Sequence, residues 1–333
     1  MTNAIEIEGL QKIYPPPGGR RARPPAGGGR ADGVRPPGVV ALEHLDLTVA
    51  DGAFFGLLGP NGAGKTTTIG ILTTRVRPTG GVARVAGADV VRQSSLVRQL
   101  IGVVPQRPNP DRALSVLDNL VFHAAYFGIH RIDGVRQARA LLDRFGIAAK
   151  AESKVDELSG GQQQRLMIAR ALIHEPSVIF LDEPTVGLDP QARLDLWEIL
   201  RELHGQGRTI VLTTHYMEEA DRLCERIAIV DQGRLLAVDT PAGLKARAPG
   251  GTLIELALDE PANGTADAVR AVRGIERVEA DGVTLRVYAS GGSASVAPLL
   301  AVLNAEGRQV RSIQLAEPSL ETLFISLTGR RLD

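Results

Sequence analysis

The chain has 333 residues, enough for one large domain and a smaller one. Lysine plus arginine balances aspartate plus glutamate at 38 each, so no net field directs the protein toward nucleic acid or an anionic membrane. A single cysteine, Cys224, excludes an internal disulfide and fits a reducing compartment, and no apolar run approaches the ~20 residues that cross a bilayer.

The N-terminal segment predicts one strand and a disordered insertion. Residues 4–10 alternate in polarity like a strand, and acidic side chains stand where a secretion signal would be basic. Residues 15–38 are mainly Pro and Gly, with five arginines and one aspartate, and have no periodic apolar face. We therefore expect a solvated insertion in a hairpin turn, although its basic character leaves contact with lipid or nucleic acid open.

The next segment predicts a phosphate-binding loop. Strand patterns at 39–49 and 53–58 lead into GPNGAGKT at 59–66, and a helical pattern follows at 67–74. Glycines let such a loop fold tightly with its backbone N–H groups pointing inward, and the following helix presents its positive dipole end. Lys65 adds positive charge for the β- and γ-phosphates, and Thr66 offers a hydroxyl to Mg²⁺. The predicted nucleotide-binding residues of this loop are Gly59, Asn61, Gly62, Gly64, Lys65, Thr66 and Thr67.

An acidic pair ends a buried strand further along the chain. Residues 107–157 have helical patterns that predict a subdomain inserted between core strands, and 178–181 and 209–213 are apolar runs typical of parallel strands. Asp182 would emerge at a strand end, which suits a Mg²⁺ partner that acts through water. Glu183 is the natural general base to orient an attacking water.

The C-terminal residues predict a separate module without chemistry of its own. Strand patterns at 252–258, 284–288 and 309–315 alternate with helical stretches near 264–272 and 295–305. This order fits an α+β module of about 80 residues, such as a ferredoxin-like one.

One further motif narrows the class of protein. Residues 158–162 read LSGGQ and lie twenty residues ahead of Asp182, after the phosphate loop. In this order, over roughly residues 1–240, the chain resembles the ATP-binding cassette (ABC) ATPases. The resemblance implies an α/β fold: an ABC-type P-loop NTPase domain with an inserted helical subdomain, at 1–243, followed by the small C-terminal α+β module at 250–333. It also implies ATP and Mg²⁺ as ligands.

The resemblance also implies roles for residues outside the loop. Gln106 in VVPQ resembles the Q-loop glutamine, which contacts Mg²⁺ and the attacking water and couples to the transmembrane partner. His215 in TTH matches the switch histidine that touches the γ-phosphate. Asp189 in GLDP resembles the D-loop aspartate. Tyr14 resembles the aromatic residue that stacks on adenine, although the insertion at 15–38 intervenes before the next strand.

The signature residues imply a dimer. In the family, the residues that match Ser159 and Gly161 close over the nucleotide of a second subunit. The serine contacts it through its hydroxyl and the glycine through its backbone N–H. Because both halves of the site are present in this chain, we expect a homodimer with two active sites.

Other segments are similar to the daunorubicin-resistance-like exporters of drugs, antibiotics and lipids, namely 114–129, 215–241 and 317–329. This implies the motor ATPase of an efflux transporter, cytoplasmic and peripheral on the membrane, working with a separate integral-membrane permease and without nucleic acid. The alternative is a soluble regulatory ABC ATPase that grips a protein partner. The chain has one phosphate loop and no sustained heptads, unlike the translation-factor and DNA-repair branches.

Overall fold

The computed structural model describes residues 2–15, 38–248, 252–262, 264–316 and 319–331. The chain divides into two compact units, 1–236 and 237–333. The predicted ATP-binding domain ends at 243, so the structural division falls slightly earlier. Residues 16–37 of the predicted insertion lie outside the described residues.

An antiparallel sheet in the first unit has the strand order β2-β1-β4-β5. Its strands are β1 (Asn3–Tyr14), β2 (Val39–Ala50), β4 (Gly80–Val85) and β5 (Ala88–Asp89). β1 and β2 pair as far as Tyr14 and Val39, so the two strands that flank the insertion form a hairpin. The first strand therefore extends one residue before and four residues beyond the polarity pattern at 4–10.

The second sheet of this unit has the order β10-β9-β3-β8-β7-β6. It contains β3 (Phe54–Leu58), β6 (Ile101–Val104), β7 (Val178–Asp182), β8 (Thr209–Thr214), β9 (Arg226–Asp231) and β10 (Arg234–Asp239). The five strands from β9 to β6 are parallel. Every residue of β3, β7 and β8 is buried, as the apolar runs predict for strands covered on both faces. The carboxyl ends of β3, β7 and β8 consequently meet at one edge.

Seven helices accompany these sheets: α1 (Lys65–Leu72), α2 (Ser94–Leu100), α3 (Val116–Tyr126), α4 (Arg131–Arg144), α5 (Gly160–Leu172), α6 (Pro190–Gly205) and α7 (Met217–Leu223). The predicted helical subdomain corresponds to α3 and α4, which pack on each other and on α5. Ser115 begins α3 because its hydroxyl accepts a hydrogen bond from the Asp118 N–H at 3.0 Å. Among the helices of the described residues, none is both long and apolar enough to span a bilayer.

The second unit begins within β10 and continues with α8 (Pro241–Ala246), β11 (Thr252–Leu258), α9 (Thr265–Arg270), β12 (Ile275–Asp281), β13 (Thr284–Ala289), α10 (Val296–Ala305), β14 (Val310–Ala316) and α11 (Leu320–Thr328). Its antiparallel sheet has the order β12-β13-β11-β14, the ferredoxin-like connectivity expected from the sequence. α9 and α10 cover one face through Val269, Leu299 and Leu303, and α11 covers the other through Ile325.

Strand β12 is absent from the sequence prediction. Only Val278 of its seven residues is buried, because β12 lies at the edge of the sheet. The apolar residues of its sequence, IERVEAD, fall at 275, 278 and 280 and so lack the two-residue period that predicts a strand.

Candidate active site

The phosphate loop connects β3 to α1 and needs glycine at specific positions. Gly64 has φ 102°, and a side chain there would also meet the Ala41 carbonyl oxygen at 2.7 Å. A Cβ on Gly59 would lie 2.2 Å from the Val230 carbonyl oxygen. No side chain caps α1, so its first backbone N–H groups remain available to an anion. The loop therefore has the geometry predicted for phosphate binding.

Lys65 starts α1 and is almost fully buried, with 4% of its surface exposed. Its Nζ donates to the carbonyl oxygens of Gly59 at 2.7 Å and Pro60 at 3.1 Å, and forms a salt bridge with Glu183 Oε1 at 3.1 Å. The ammonium group is thus held inside the loop by three acceptors. Phosphate oxygens are acceptors of the same kind with more negative charge, so they can replace these partners.

Asp182 ends β7 and lies beside the loop. Its Oδ1 accepts from Thr213 Oγ1 at 2.6 Å and from Thr66 Oγ1 at 3.3 Å. Burial raises the pKa of the Asp182 carboxyl, although the two threonine hydroxyls and Lys65 favour its charged form. The Thr66 hydroxyl and this carboxylate supply hard oxygen ligands, which fit Mg²⁺.

Glu183 is the point at which distant segments converge. Its backbone has φ 50°, and its N–H donates to the carbonyl oxygen and the hydroxyl of Thr213 at 3.1 and 3.0 Å. Its Oε2 accepts from Gln106 Nε2 at 3.1 Å, while Lys65 holds Oε1. His215 Nδ1 lies 3.3 Å from Oε2, within ion-pair distance but without hydrogen-bond geometry. A positive φ in a non-glycine residue is a strained conformation typical of functional positions.

The remaining predicted residues lie outside this cluster. Tyr14 ends β1, and its ring lies 4.8 Å from Lys12 Nζ. Ser159 caps α5 through hydrogen bonds exchanged with Gln162, and Gly161 follows in the first turn. Asp189 caps α6 by accepting from the Ala192 N–H at 2.9 Å. The structure therefore brings the loop, Gln106, Asp182, Glu183 and His215 together, whereas Tyr14, Ser159, Gly161 and Asp189 make their contacts elsewhere.

Thr213 is a site residue that the sequence analysis treats only as part of a strand. It is fully buried and hydrogen bonds to both Asp182 and Glu183, so it fixes the acidic pair from the neighbouring strand. A hydroxyl inside the apolar run IVLTT is the signal that could have found it.

A phosphate loop between a buried parallel strand and a helix, with an acidic pair at the end of another strand of the same parallel sheet, defines a P-loop nucleoside triphosphatase. Comparison with known proteins specifies the family. Residues 42–186 match the ABC transporter family. The chain is 42% identical over 300 residues to the daunorubicin resistance ATP-binding protein DrrA2 of Streptomyces coeruleorubidus, which covers 88% of this chain and 92% of that protein.

Two further comparisons agree with this family. The Nod factor export ATP-binding protein I of Paraburkholderia xenovorans is 39% identical, over 87% of this chain and 93% of that protein. A solved ATP-binding cassette dimer, MJ0796 bound to ADP and Pi, is 26% identical with a TM-score of 0.60, over 71% of this chain and 98% of that chain. The chain belongs to the ABC transporter ATP-binding proteins and is an ATPase. The predicted family and fold class are confirmed.

Proposed function

We propose that this ATPase powers the export of a drug, an antibiotic or a lipid through a separate membrane permease. The observation that carries the proposal is similarity along most of the chain, including the second unit, to ATP-binding proteins named for resistance or export. The linearmycin resistance protein LnrL of Bacillus subtilis is another, 36% identical over 87% of this chain and 94% of that protein. None of these relatives supports the alternative of a regulatory ATPase.

We assign ATP to the phosphate loop, with adenine on Tyr14. The backbone N–H groups and Lys65 would hold the β- and γ-phosphates. Thr66, Asp182 and Gln106 would hold Mg²⁺, which when bound neutralises charge on the phosphate oxygens. Oxygens of the bound phosphates would supply the remaining ligands.

Hydrolysis would use Glu183 as the general base. Lys65 Nζ pairs with Oε1 of this carboxylate at 3.1 Å. When phosphate attracts Lys65, the carboxylate becomes free to accept a proton from the attacking water. Gln106 and His215 approach Oε2 from two different segments of the chain. They would therefore keep the carboxylate aligned with the γ-phosphate.

The signature and D-loop residues support a homodimer. Ser159 and Asp189 are exposed at the N-termini of α5 and α6, and their hydrogen bonds lie within those helices. We assign Ser159, Gly161 and Asp189 to the nucleotide of a second copy. ATP binding would then close the dimer, and hydrolysis would reopen it.

A groove of about 650 Å³ supports docking of a permease. It lies between the segment around Gln106 and helices α3 and α5, so it adjoins the site. Phe122 and Tyr126 on α3 are 60% and 75% exposed, and large exposed apolar side chains that cluster are typical of protein contacts. Such docking would place the ATPase at the cytoplasmic face of the membrane.

The experiment is reconstitution with the permease. The chain is expressed in its native host with an affinity tag, its membrane partner is captured, and ATP-driven transport is measured in inverted vesicles. A matched variant ends after Thr240, before α8, which packs on α11 of the second unit. We expect this truncation to keep ATP binding and to weaken assembly with the permease or with a second copy. Capture of soluble proteins alone would refute the export function, and full transport by the truncated chain would refute a role of the second unit in assembly.

A further inference from the structure

Glu219 is a fully buried carboxylic acid that the site described above does not use. It lies in α7, four residues after His215, and none of its surface is exposed. Its Oε1 accepts from Trp197 Nε1 at 3.1 Å. Burial raises the pKa of the Glu219 carboxyl, and the neighbouring polar side chains of Thr214, Trp197 and Thr185 oppose the rise. Because an apolar side chain would fill a purely structural position at lower cost, the carboxyl group needs another explanation.

The partners of Glu219 come from three parts of the nucleotide site. Thr185 lies two residues after Glu183, and Thr214 directly precedes His215. Trp197 belongs to α6, the helix that Asp189 caps. All three partners are at most 2% exposed. Glu219 is therefore hydrogen bonded to the helix that follows the D-loop, and it lies beside polar side chains of the acidic loop and the switch segment.

A second contact joins α6 to the switch segment. The Arg193 guanidinium lies 4.6 Å from the centre of the Tyr216 ring, and that ring lies 4.2 Å from the His215 ring. Arg193 and Trp197 are four residues apart, so they project from one face of α6. The helix thus contacts the segment after His215 at two positions, Tyr216 and Glu219.

This network contains unused hydrogen-bonding capacity. Among the residues that the structure describes, Glu219 Oε2, Thr185 Oγ1 and Arg193 Nε are buried without a partner at full hydrogen-bond geometry. Buried polar atoms without partners are rare and call for a functional or mechanical explanation.

We propose that Glu219 is a positioning residue that couples α6 to His215 and thereby keeps the His215 ring against Glu183 during ATP hydrolysis. The proposal rests on the roles assigned above to Glu183 and His215. Glu219 itself touches neither nucleotide nor water in this scheme. Movement of Asp189 when the dimer closes would reach His215 through Trp197 and Glu219.

The test is a set of double-mutant cycles on the full-length ATPase. Glu219→Ala removes the acceptor, Trp197→Phe removes the donor while keeping an aromatic ring, and Glu219→Gln keeps the size and an acceptor oxygen. Each is measured alone and combined with His215→Ala, for kcat, KM for ATP and thermal midpoint. Glu218→Ala is the matched control, because the adjacent Glu218 is 61% exposed and forms a surface ion pair with Arg222.

We expect Glu219→Ala to lower kcat by about tenfold or more with KM nearly unchanged, since a small misplacement of a catalytic group costs up to about 10²-fold. Glu219→Gln should retain kcat within about threefold of wild type, and in the His215→Ala background all these variants should lose their effect, as residues that act as one unit are not additive. If Glu219→Ala does not fold, Trp197→Phe makes the same test.

An equal factor in both backgrounds, or an equal loss in the Glu218→Ala control, would overturn the positioning role while leaving the role of His215 intact. Full activity of His215→Ala alone would overturn the assigned role of His215 and this proposal with it.

Discussion

Replacing Glu183 with Gln tests the central pair of the site. In the structure Glu183 faces Lys65 at 3.1 Å, and the two side chains are 5% and 4% exposed. The substitution removes a negative charge. That charge competes with phosphate for Lys65 and also repels the phosphate. Lys65 keeps its two carbonyl partners, and the amide oxygen can still accept a hydrogen bond. ATP should therefore bind about three- to tenfold more tightly, equivalent to about 0.7–1.4 kcal/mol.

Hydrolysis by the same variant should fall sharply. Loss of a general base lowers kcat by about 10²–10⁴-fold, which is about 2.7–5.4 kcal/mol in activation free energy. The variant should also accumulate as an ATP-bound dimer.

Equilibrium titration with fluorescent ATP, steady-state phosphate release and gel filtration with ATP measure the three effects. Glu218→Gln, an exposed glutamate, is the control. Turnover within about threefold of wild type would show that Glu183 is not the base. Weaker ATP binding would show that the Lys65–Glu183 pair does not compete with phosphate.

Three other predictions concern the loop, the groove and the insertion. Lys65→Ala should weaken ATP binding by about tenfold or more, because hydrogen bonds to charged groups contribute about 1.5–3 kcal/mol; unchanged affinity and ATPase activity would contradict this. Burial lowers the pKa of His123 from 6.5 to about 4, so the unfolded chain binds a proton that the folded one does not. The free energy of unfolding should then fall by up to about 3 kcal/mol as pH falls from about 6.5 to 4, and His123→Gln should reduce that loss in urea titrations at several pH values. Replacing residues 16–37 with an Asn-Gly turn should leave the thermal midpoint within a few degrees, since loop length costs little and Tyr14 already pairs with Val39; a collapse of the midpoint would show that the segment packs.

Much of the site follows from short contiguous motifs. The loop at 59–66 carries its glycines, its lysine and its helix start within eight residues, so local backbone geometry is sufficient to build a phosphate cradle. Asp182 and Glu183 follow an apolar strand directly, which places them at a sheet edge. The assignment of these residues to ATP and Mg²⁺ stays a proposal that the predictions above test.

Other features needed the tertiary structure. Glu183 meets Lys65, Gln106 and His215 only because parallel strands from distant parts of the chain end side by side. The apolar residues of strand β12 do not follow a two-residue period, so only its pairing with β13 reveals it as a strand.

Glu218 and Glu219 show most directly what the sequence cannot predict. In the sequence they are two adjacent glutamates at the start of a helix, with equal charge and equal propensity. The fold exposes the first to solvent and buries the second against Trp197, Thr185 and Thr214. The sequence by itself determined the family, the phosphate loop and the acidic strand end, because those depend on neighbouring residues. Which buried polar groups face one another was decided by packing between segments that are far apart in the chain.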